Sequence, residues 1–203
     1  ELHITILGST GSIGSSTLDV VRQLRDRFHI YALVAGKNTE VICSQILEFS
    51  PKVVVVSDEL VLDALKKRLS ESGLPRHRWP DLASGPRARV AAAIEPGVEF
   101  VMSAIVGVAG LEATYAAIRA KKRIGLANKE VLVAAGRLVM RAVRETTAEL
   151  IPVDSEHNGA HQCFRAGRRS EVTRLLLTAS GGPFRDTPAA ELSRVTPAQA
   201  LNH

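Results

Sequence analysis

Two carboxylates stand close together late in the chain, in the run Asp154-Ser155-Glu156. Side chains at positions i and i+2 of an extended segment point to the same side, so both carboxylates can reach one cation. Carboxylate oxygens without thiolates select hard ions, which favours Mg²⁺ or Mn²⁺ over Zn²⁺. Two such ligands leave positions open for substrate oxygens. An acidic first turn behind a helix N-cap accounts for the same residues equally well.

A second polar run, Asn128-Lys129-Glu130, follows a predicted strand and opens a predicted helix. Ligands of a doubly wound sheet bind beyond the carboxyl ends of its strands, so this run faces the expected ligand side. Helix capping explains Asn128 and Glu130. It does not explain Lys129, because a cation is unfavourable in the first turn of a helix. The run therefore predicts a ligand-binding position.

Glycines recur at every third position in Gly8, Gly11 and Gly14, between an apolar run and an amphipathic run. Glycines let the backbone turn tightly and approach a pyrophosphate, whose charge is met by the N–H groups that begin the helix. An isolated glycine motif is also compatible with an ordinary strand-to-helix turn. The strand before it and the helix after it favour dinucleotide binding.

The end of the second predicted strand bears on the choice of coenzyme. Enzymes that use NAD place an Asp or Glu there, about 20 residues beyond the glycines, to hold the ribose 2′-hydroxyl. This chain has Gly36-Lys37-Asn38 at that place, and Glu40 is expected to face outward at the start of the next helix. Lys37 can pair with a 2′-phosphate, so the pattern predicts NADPH. The alternative is that Lys37 is a solvated loop lysine with no role in binding.

A second glycine-rich turn, Ser180-Gly181-Gly182, follows a predicted strand at residues 172–178. Its hydroxyl and backbone N–H groups could hold a substrate phosphate. A plain turn before Pro183 is an equal alternative.

Alternating strands and helices must position these residues. Periodicity predicts strands at 2–7, 29–35, 52–56, 98–102, 123–126 and 149–153, and helices at 15–27, 39–49, 58–69, 110–120 and 129–146. This alternation predicts an α/β fold with a Rossmann-like, doubly wound parallel sheet. Residues 72–85 lack clear periodicity and are predicted to be a connection. Aromatic residues make up 4% of the chain, so the core must be aliphatic, which suits a parallel sheet.

The bulk composition excludes several classes of protein. The chain has 203 residues and a net charge of +5, and it has no basic run interleaved with aromatic residues, so no nucleic-acid partner is expected. No apolar run approaches the ~18 residues of a membrane span. The cysteines, Cys43 and Cys163, lie far apart and are predicted to be core thiols of a cytoplasmic protein. We expect a coenzyme-binding domain at 1–150 and an incomplete second domain at 151–203.

Five motifs in the same order, GSTGSIG, GKN, LANKE, PVDSEHN and TASGGPFR, resemble those of the 1-deoxy-D-xylulose 5-phosphate reductoisomerase family. The resemblance implies conversion of that phosphorylated keto-sugar to 2-C-methyl-D-erythritol 4-phosphate, with NADPH and with Mg²⁺, Mn²⁺ or Co²⁺. It implies a bacterial cytoplasmic enzyme that is a homodimer at full length, whose second, catalytic domain is α+β. The family pattern continues past His203 with a lid, a phosphate-binding pair and a third metal carboxylate.

The resemblance also implies roles for individual residues. Coenzyme contacts are implied for Thr10, Gly11, Ser12, Ile13, Gly36, Lys37, Asn38, Asn128 and Glu130. Catalytic roles are implied for Lys129, Asp154 and Glu156, of which the two carboxylates bind the metal. Substrate contacts are implied for Lys129, Ser155, Glu156, Ser180 and His203. Two other functions stay open: a different NADP-dependent reductase would not need the carboxylate pair, and a non-catalytic NADP-binding module would have no use for Lys129 beside it.

Overall fold

The computed structural model describes residues 1–178 and 181–202. The chain divides into two compact units, Glu1–Asp154 and Ser155–His203, whereas the predicted boundary fell at residue 150. Each unit is described by itself. The assignment of coenzyme binding to the first and of metal chemistry to the second stays a prediction.

The first unit is built on one parallel sheet of seven strands in the spatial order β4-β3-β2-β1-β5-β6-β7. The strands are β1 Leu2–Leu7, β2 Phe28–Val34, β3 Val53–Val56, β4 Asp81–Ser84, β5 Phe100–Ser103, β6 Arg123–Leu126 and β7 Glu149–Pro152. From β1 the chain proceeds outward to β4, crosses to β5 and proceeds outward to β7. The sheet is therefore doubly wound, with its switch point between β1 and β5, and this confirms the predicted fold class.

Helices cover both faces of this sheet. They are α1 Ser12–Gln23, α2 Thr39–Phe49, α3 Glu59–Glu71, α4 Gly85–Ile94, α5 Leu111–Arg119 and α6 Glu130–Thr146. Successive strand residues point to opposite faces, so Ile6 packs among residues of α1, α2 and α3 while Leu7 packs with residues of α4, α5 and α6. Both side chains are fully buried, as expected for a parallel sheet.

Pattern reasoning missed β4 and α4, which lie in or beside the stretch predicted to be a connection. The strand β4 is a four-residue edge strand with Asp81 and Ser84 at its ends, so it shows little apolar alternation. The helix α4 is rich in alanine and lacks a stripe of large apolar residues. Its buried face consists of small side chains, Ala92 and Ala93, which pattern reasoning based on bulky residues does not detect.

A buried lysine joins the turn before β5 to the start of β6. Lys122 is 8% exposed, and its Nζ donates to the carbonyl oxygens of Glu95 and Val98, each at 2.6 Å. Burial lowers the pKa of Lys122, against the opposing charges of Glu95 and Glu99. The ammonium is thus retained inside the protein because backbone carbonyls replace its water.

Lys122→Met should lower the free energy of unfolding by about 1–3 kcal/mol, because it leaves buried carbonyl oxygens without a donor. Urea unfolding followed by circular dichroism measures the change, and Lys67→Met, at an exposed position of α3, is the matched control. If both variants lost the same stability, the buried hydrogen bonds of Lys122 would not be the cause.

The second unit contains the helices α7 Ser155–Arg165 and α8 Pro197–Leu201, with short 3₁₀ turns between them. The predicted strand at 172–178 is wrong, since these residues form no regular structure. A strand needs a partner edge, and no other strand occurs in residues 155–178 and 181–202. Leu175, Leu176 and Leu177 accordingly remain 56%, 78% and 60% exposed.

The cysteines occupy different environments. Cys43 is a buried free thiol of α2, and burial raises its pKa. Cys163 is exposed on α7, so its prediction as a core thiol is wrong. None of the helices in the described part of the chain combines the length and the apolar composition that a membrane crossing requires.

Candidate active site

The glycine loop lies at the carboxyl end of β1, where three strands come together. Gly8 has a φ of +92°, and its N–H donates to the carbonyl oxygen of Val34 at 2.8 Å. A Cβ on Gly8 would lie 2.6 Å from the carbonyl oxygen of Ala104, and one on Gly14 would lie 2.6 Å from the Cα of Ser9. The loop therefore needs glycine at position 8 in order to fit against the segment after β5, and at position 14 because the start of α1 packs directly on the backbone of the loop itself.

The same loop forms the start of α1. Gly11 is its N-cap, and the helix begins at Ser12, three residues before the predicted start. Amides of a first turn have no partner within their helix and lie at its positive end, which favours an anionic ligand. Thr10 is half-buried and Ser12 is exposed. The side chain of Ile13 lies with Phe100 in an apolar groove, so what Ile13 offers at the loop is its backbone amide.

A cleft of about 340 Å³ opens beside the loop. It brings together residues from the ends of β1, β2, β3 and β5: Gly8, Gly11, Val34, Ala35, Gly36, Ser57, Ala104, Ile105, Val106 and Ala109, with Arg89 of α4. Sequence reasoning missed Ser57 and Arg89. Ser57 directly follows β3, so the rule that ligands bind beyond strand ends could have found it. Arg89 belongs to the helix that pattern reasoning did not detect, and its guanidinium donates to the carbonyl oxygen of Ala109.

The turn after β2 places Lys37 in solvent and gives Asn38 a structural role. The Oδ1 of Asn38 accepts from the N–H of Val41 at 3.1 Å and so caps α2. Hydrogen bonds from the Val61 N–H and the Ser57 hydroxyl lower the pKa of Asp58, and the nearby charge of Lys37 contributes. Glu40 is exposed, as predicted.

Asn128 is buried, 5% exposed, between the ends of two strands. Its Nδ2 donates to the carbonyl oxygens of Ile105 and Gly107, and its Oδ1 accepts from the N–H of Glu130 at 3.0 Å. The side chain of Asn128 therefore binds protein groups on both of its polar atoms. Glu130 begins α6, and its side chain is exposed.

Lys129 and Asp154 form an ion pair at the same edge of the sheet. They follow β6 and β7, and their Nζ and Oδ2 atoms lie 3.0 Å apart. The lysine side chain is 59% exposed and the aspartate side chain 15% exposed. The ammonium of Lys129 thus neutralises the charge of Asp154, the carboxylate that the sequence predicted to bind a divalent cation.

The other predicted acidic ligand, Glu156, lies in the first turn of α7. Its Oε2 accepts from the hydroxyl of Ser155 at 2.9 Å, and both side chains line a cleft with Arg174. The premise of an extended segment is wrong, since α7 begins at Ser155. Within residues 1–178 and 181–202, no three Asp, Glu, His or Cys side chains converge as a metal-binding group. Two predicted substrate contacts, Ser180 and His203, lie outside the described residues.

Comparison with known proteins places the whole chain in one family. A family model described as 1-deoxy-D-xylulose 5-phosphate reductoisomerase matches residues 4–136, and a model of the C-terminal domain of that enzyme matches residues 150–203. The reductoisomerase of Solibacter usitatus is 64% identical over 200 residues, which are 98% of this chain and 50% of that protein. That of Prosthecochloris aestuarii is 50% identical, over 98% of this chain and 51% of that protein. The chain thus spans about half the length of these relatives.

Comparison with solved structures identifies the same family. The reductoisomerase of Zymomonas mobilis in complex with NADPH is 45% identical, with a TM-score of 0.83 over 97% of this chain and 50% of that one. A reductoisomerase in complex with NADPH, fosmidomycin and magnesium is 36% identical, also with a TM-score of 0.83, over 100% of this chain and 51% of that one. The chain therefore belongs to the 1-deoxy-D-xylulose 5-phosphate reductoisomerase family.

Proposed function

We propose that this chain supplies the coenzyme-binding part, and the first part of the catalytic domain, of an NADPH- and metal-dependent reductoisomerase. The reaction is the rearrangement and reduction of 1-deoxy-D-xylulose 5-phosphate to 2-C-methyl-D-erythritol 4-phosphate, for isoprenoid precursor synthesis. The activity is assigned to the protein at the length of its relatives, because this chain spans about half of them.

The observation that carries the proposal is the position of the Lys129–Asp154 pair. It lies beyond the ends of β6 and β7, on the sheet edge that also carries the glycine loop beyond the end of β1. A coenzyme across the switch point would present its nicotinamide half toward this pair. A non-catalytic coenzyme-binding module has no need of such a pair, and a simple reductase has no need of a second carboxylate two residues on, at Glu156.

In this proposal each part of the cleft binds a different part of the coenzyme. The amides at residues 10–13 bind the pyrophosphate at the positive end of α1. Gly36 lets the ribose approach the end of β2, and Lys37 pairs with the 2′-phosphate. Asn38 caps α2 and thereby fixes the turn that presents Lys37. When bound, NADPH would supply the hydride for the reduction.

The substrate and metal functions fall to residues 129 and 154–156. Asp154 and Glu156 would hold the divalent cation, and their hard oxygen ligands suit Mg²⁺, Mn²⁺ or Co²⁺. When bound, the cation supplies polarisation of adjacent substrate oxygens. Lys129 stabilises negative charge on those oxygens. Ser155 contacts the substrate between the two carboxylates.

Further assignments rest on the resemblance alone. Ser180 and His203 bind the substrate near its phosphate, and Glu130 contacts the coenzyme. The complete enzyme is a homodimer in the bacterial cytoplasm. Fosmidomycin, which is bound in a related structure, is proposed as a ligand of the complete enzyme.

NADPH should bind more tightly than NADH. Lys37→Ala should lower the ratio of the NADPH affinity to the NADH affinity by about 10- to 100-fold, because one charge-assisted hydrogen bond contributes about 1.5–3 kcal/mol. Titration of each coenzyme by nicotinamide fluorescence measures the affinities. Lys67→Ala, which removes an exposed lysine of α3, is the control. Equal affinities of the unmodified chain for NADPH and NADH would overturn the coenzyme assignment.

A further inference from the structure

We propose that Asn128 is a positioning residue that holds the segment 105–107 and thereby sets the nicotinamide half of the coenzyme cleft, without contacting the coenzyme through its side chain. This inference rests on the proposed coenzyme function. It differs from the role that the resemblance implies, in which Asn128 is a coenzyme contact. The difference arises because the structure uses both polar atoms of the side chain elsewhere.

The hydrogen bonds of Asn128 join two loops. One loop, residues 104–110, follows β5, and the other is the turn between β6 and α6. The amide nitrogen donates to the carbonyl oxygens of Ile105 and Gly107, and the amide oxygen accepts from the N–H of Glu130. An amide can donate and accept at once, whereas a carboxylate can only accept. Asparagine is therefore suited to hold these two loops together.

The side chain of Ile105 packs against the core of the first unit, but the rest of the loop after β5 has little apolar anchorage. Val106 is 86% exposed and Val108 is 61% exposed, and Gly107 has a φ of +73°. The far end of the loop is held separately, by the hydroxyl of Thr114, which donates to the carbonyl oxygen of Gly110 at 2.7 Å. Arg89 also holds the loop, through the carbonyl oxygen of Ala109. Together with the packing of Ile105, the bonds to Asn128 determine where the backbone of residues 105–107 lies.

This backbone forms one wall of the coenzyme cleft. Ala104, Ile105 and Val106 line the cleft together with the glycine loop. A dinucleotide spans the switch point, with its 2′-phosphate end beyond β2 and its other half beyond the strands on the opposite side of β1. Those strands are β5 and β6. A shift of residues 105–107 should consequently alter the nicotinamide half and leave the adenosine half unchanged.

Two ligands separate these halves: NADPH, and adenosine 2′,5′-bisphosphate, which lacks the nicotinamide. In Asn128→Asp the carboxylate still accepts from the Glu130 N–H but faces two carbonyl oxygens without a proton to donate. We expect its NADPH affinity to fall by about tenfold or more, since buried acceptors lose their donor. Its affinity for the bisphosphate should change less than twofold. Isothermal titration measures both affinities.

A second variant tests the loop without altering Asn128. Gly107→Ala strains the positive φ, while its Cβ would meet nothing within 4 Å. It should reproduce the selective loss of NADPH affinity. Thr146→Ala, which removes a buried hydroxyl bonded to Ala142 at the other end of α6, is the control for general destabilisation and should weaken neither ligand selectively.

Amide hydrogen exchange of residues 104–110 without ligand tests the clamp independently of coenzyme. Faster exchange in Asn128→Asp, with selective loss of NADPH affinity, supports the inference. Equal losses for both ligands, or unchanged NADPH affinity, overturn it. If the unmodified chain bound neither ligand while exchange still accelerated in the variant, the clamp would stand and the proposed coenzyme function would fall.

Discussion

A chimera that joins residues 1–203 to the C-terminal half of the Solibacter usitatus relative should oxidise NADPH at least roughly a thousandfold faster than residues 1–203 alone. Orientation of reacting groups can account for about 7–11 kcal/mol of a barrier, so its loss suppresses turnover by orders of magnitude. The chain spans about half of that relative, and the resemblance implies a lid, a phosphate-binding pair and a third metal carboxylate in the half of the family pattern that residues 1–203 do not match. The relative is 64% identical, which makes it a suitable donor.

The assay follows absorbance at 340 nm with NADPH, 1-deoxy-D-xylulose 5-phosphate and Mn²⁺. The complete Solibacter usitatus enzyme is the positive control. NADPH affinity should be similar in the chimera and in residues 1–203, because the cleft is formed by residues of the first unit. Comparable turnover of the two proteins would show that the catalytic unit is smaller than the family pattern. An inactive chimera with intact NADPH binding would count against the proposed reaction.

The sequence predicted the sheet and the glycine loop because these features depend on local chemistry. Strands rich in Val, Ile and Leu have a residue pattern different from that of amphipathic helices. A position such as Gly8, where the backbone passes close to another segment, requires glycine and can therefore be recognised in the sequence. The helix start was misplaced because Gly14 was read as part of the loop, whereas it lies in the first turn of α1. A glycine inside a helix is normally unfavourable, but here a Cβ would collide with the backbone of Ser9.

Features that depend on tertiary contacts were not predictable from the sequence. Arg89 reaches the cleft from a helix whose buried face consists of alanines, and its position depends on how β4 crosses to β5. The hydrogen bonds of Asn128 to residues 105 and 107 span 23 and 21 positions of sequence. Residues 172–178 have a strand-like composition, yet composition does not supply the partner strand that pairing needs.

In the chimera, Asp154→Asn should weaken Mn²⁺ binding by about 100-fold or more, since mutations of outer-shell partners alone typically cost 10–100-fold. Turnover should fall in parallel. NADPH affinity should change less than twofold, because Asp154 does not line the coenzyme cleft. Electron paramagnetic resonance of free Mn²⁺ measures the metal affinity. Glu149→Gln, at the opposite end of β7, is the control, and an equal collapse of NADPH affinity would show that Asp154 is structural.

Lys129 allows the role of Asp154 as a metal ligand to be separated from its role as an ion-pair partner. Its ammonium lies 3.0 Å from the carboxylate, so it repels a cation at that position by Coulomb's law. Lys129→Met should therefore bind Mn²⁺ at least as tightly as the unmodified chimera, while turnover falls because the substrate oxygens lose a positive charge. Asp154→Asn lowers both quantities. If Asp154 served only to hold Lys129, the two substitutions would have the same effect on Mn²⁺ affinity. If only Asp154→Asn weakens Mn²⁺ binding, the carboxylate is the metal ligand and the ammonium of Lys129 acts on the substrate.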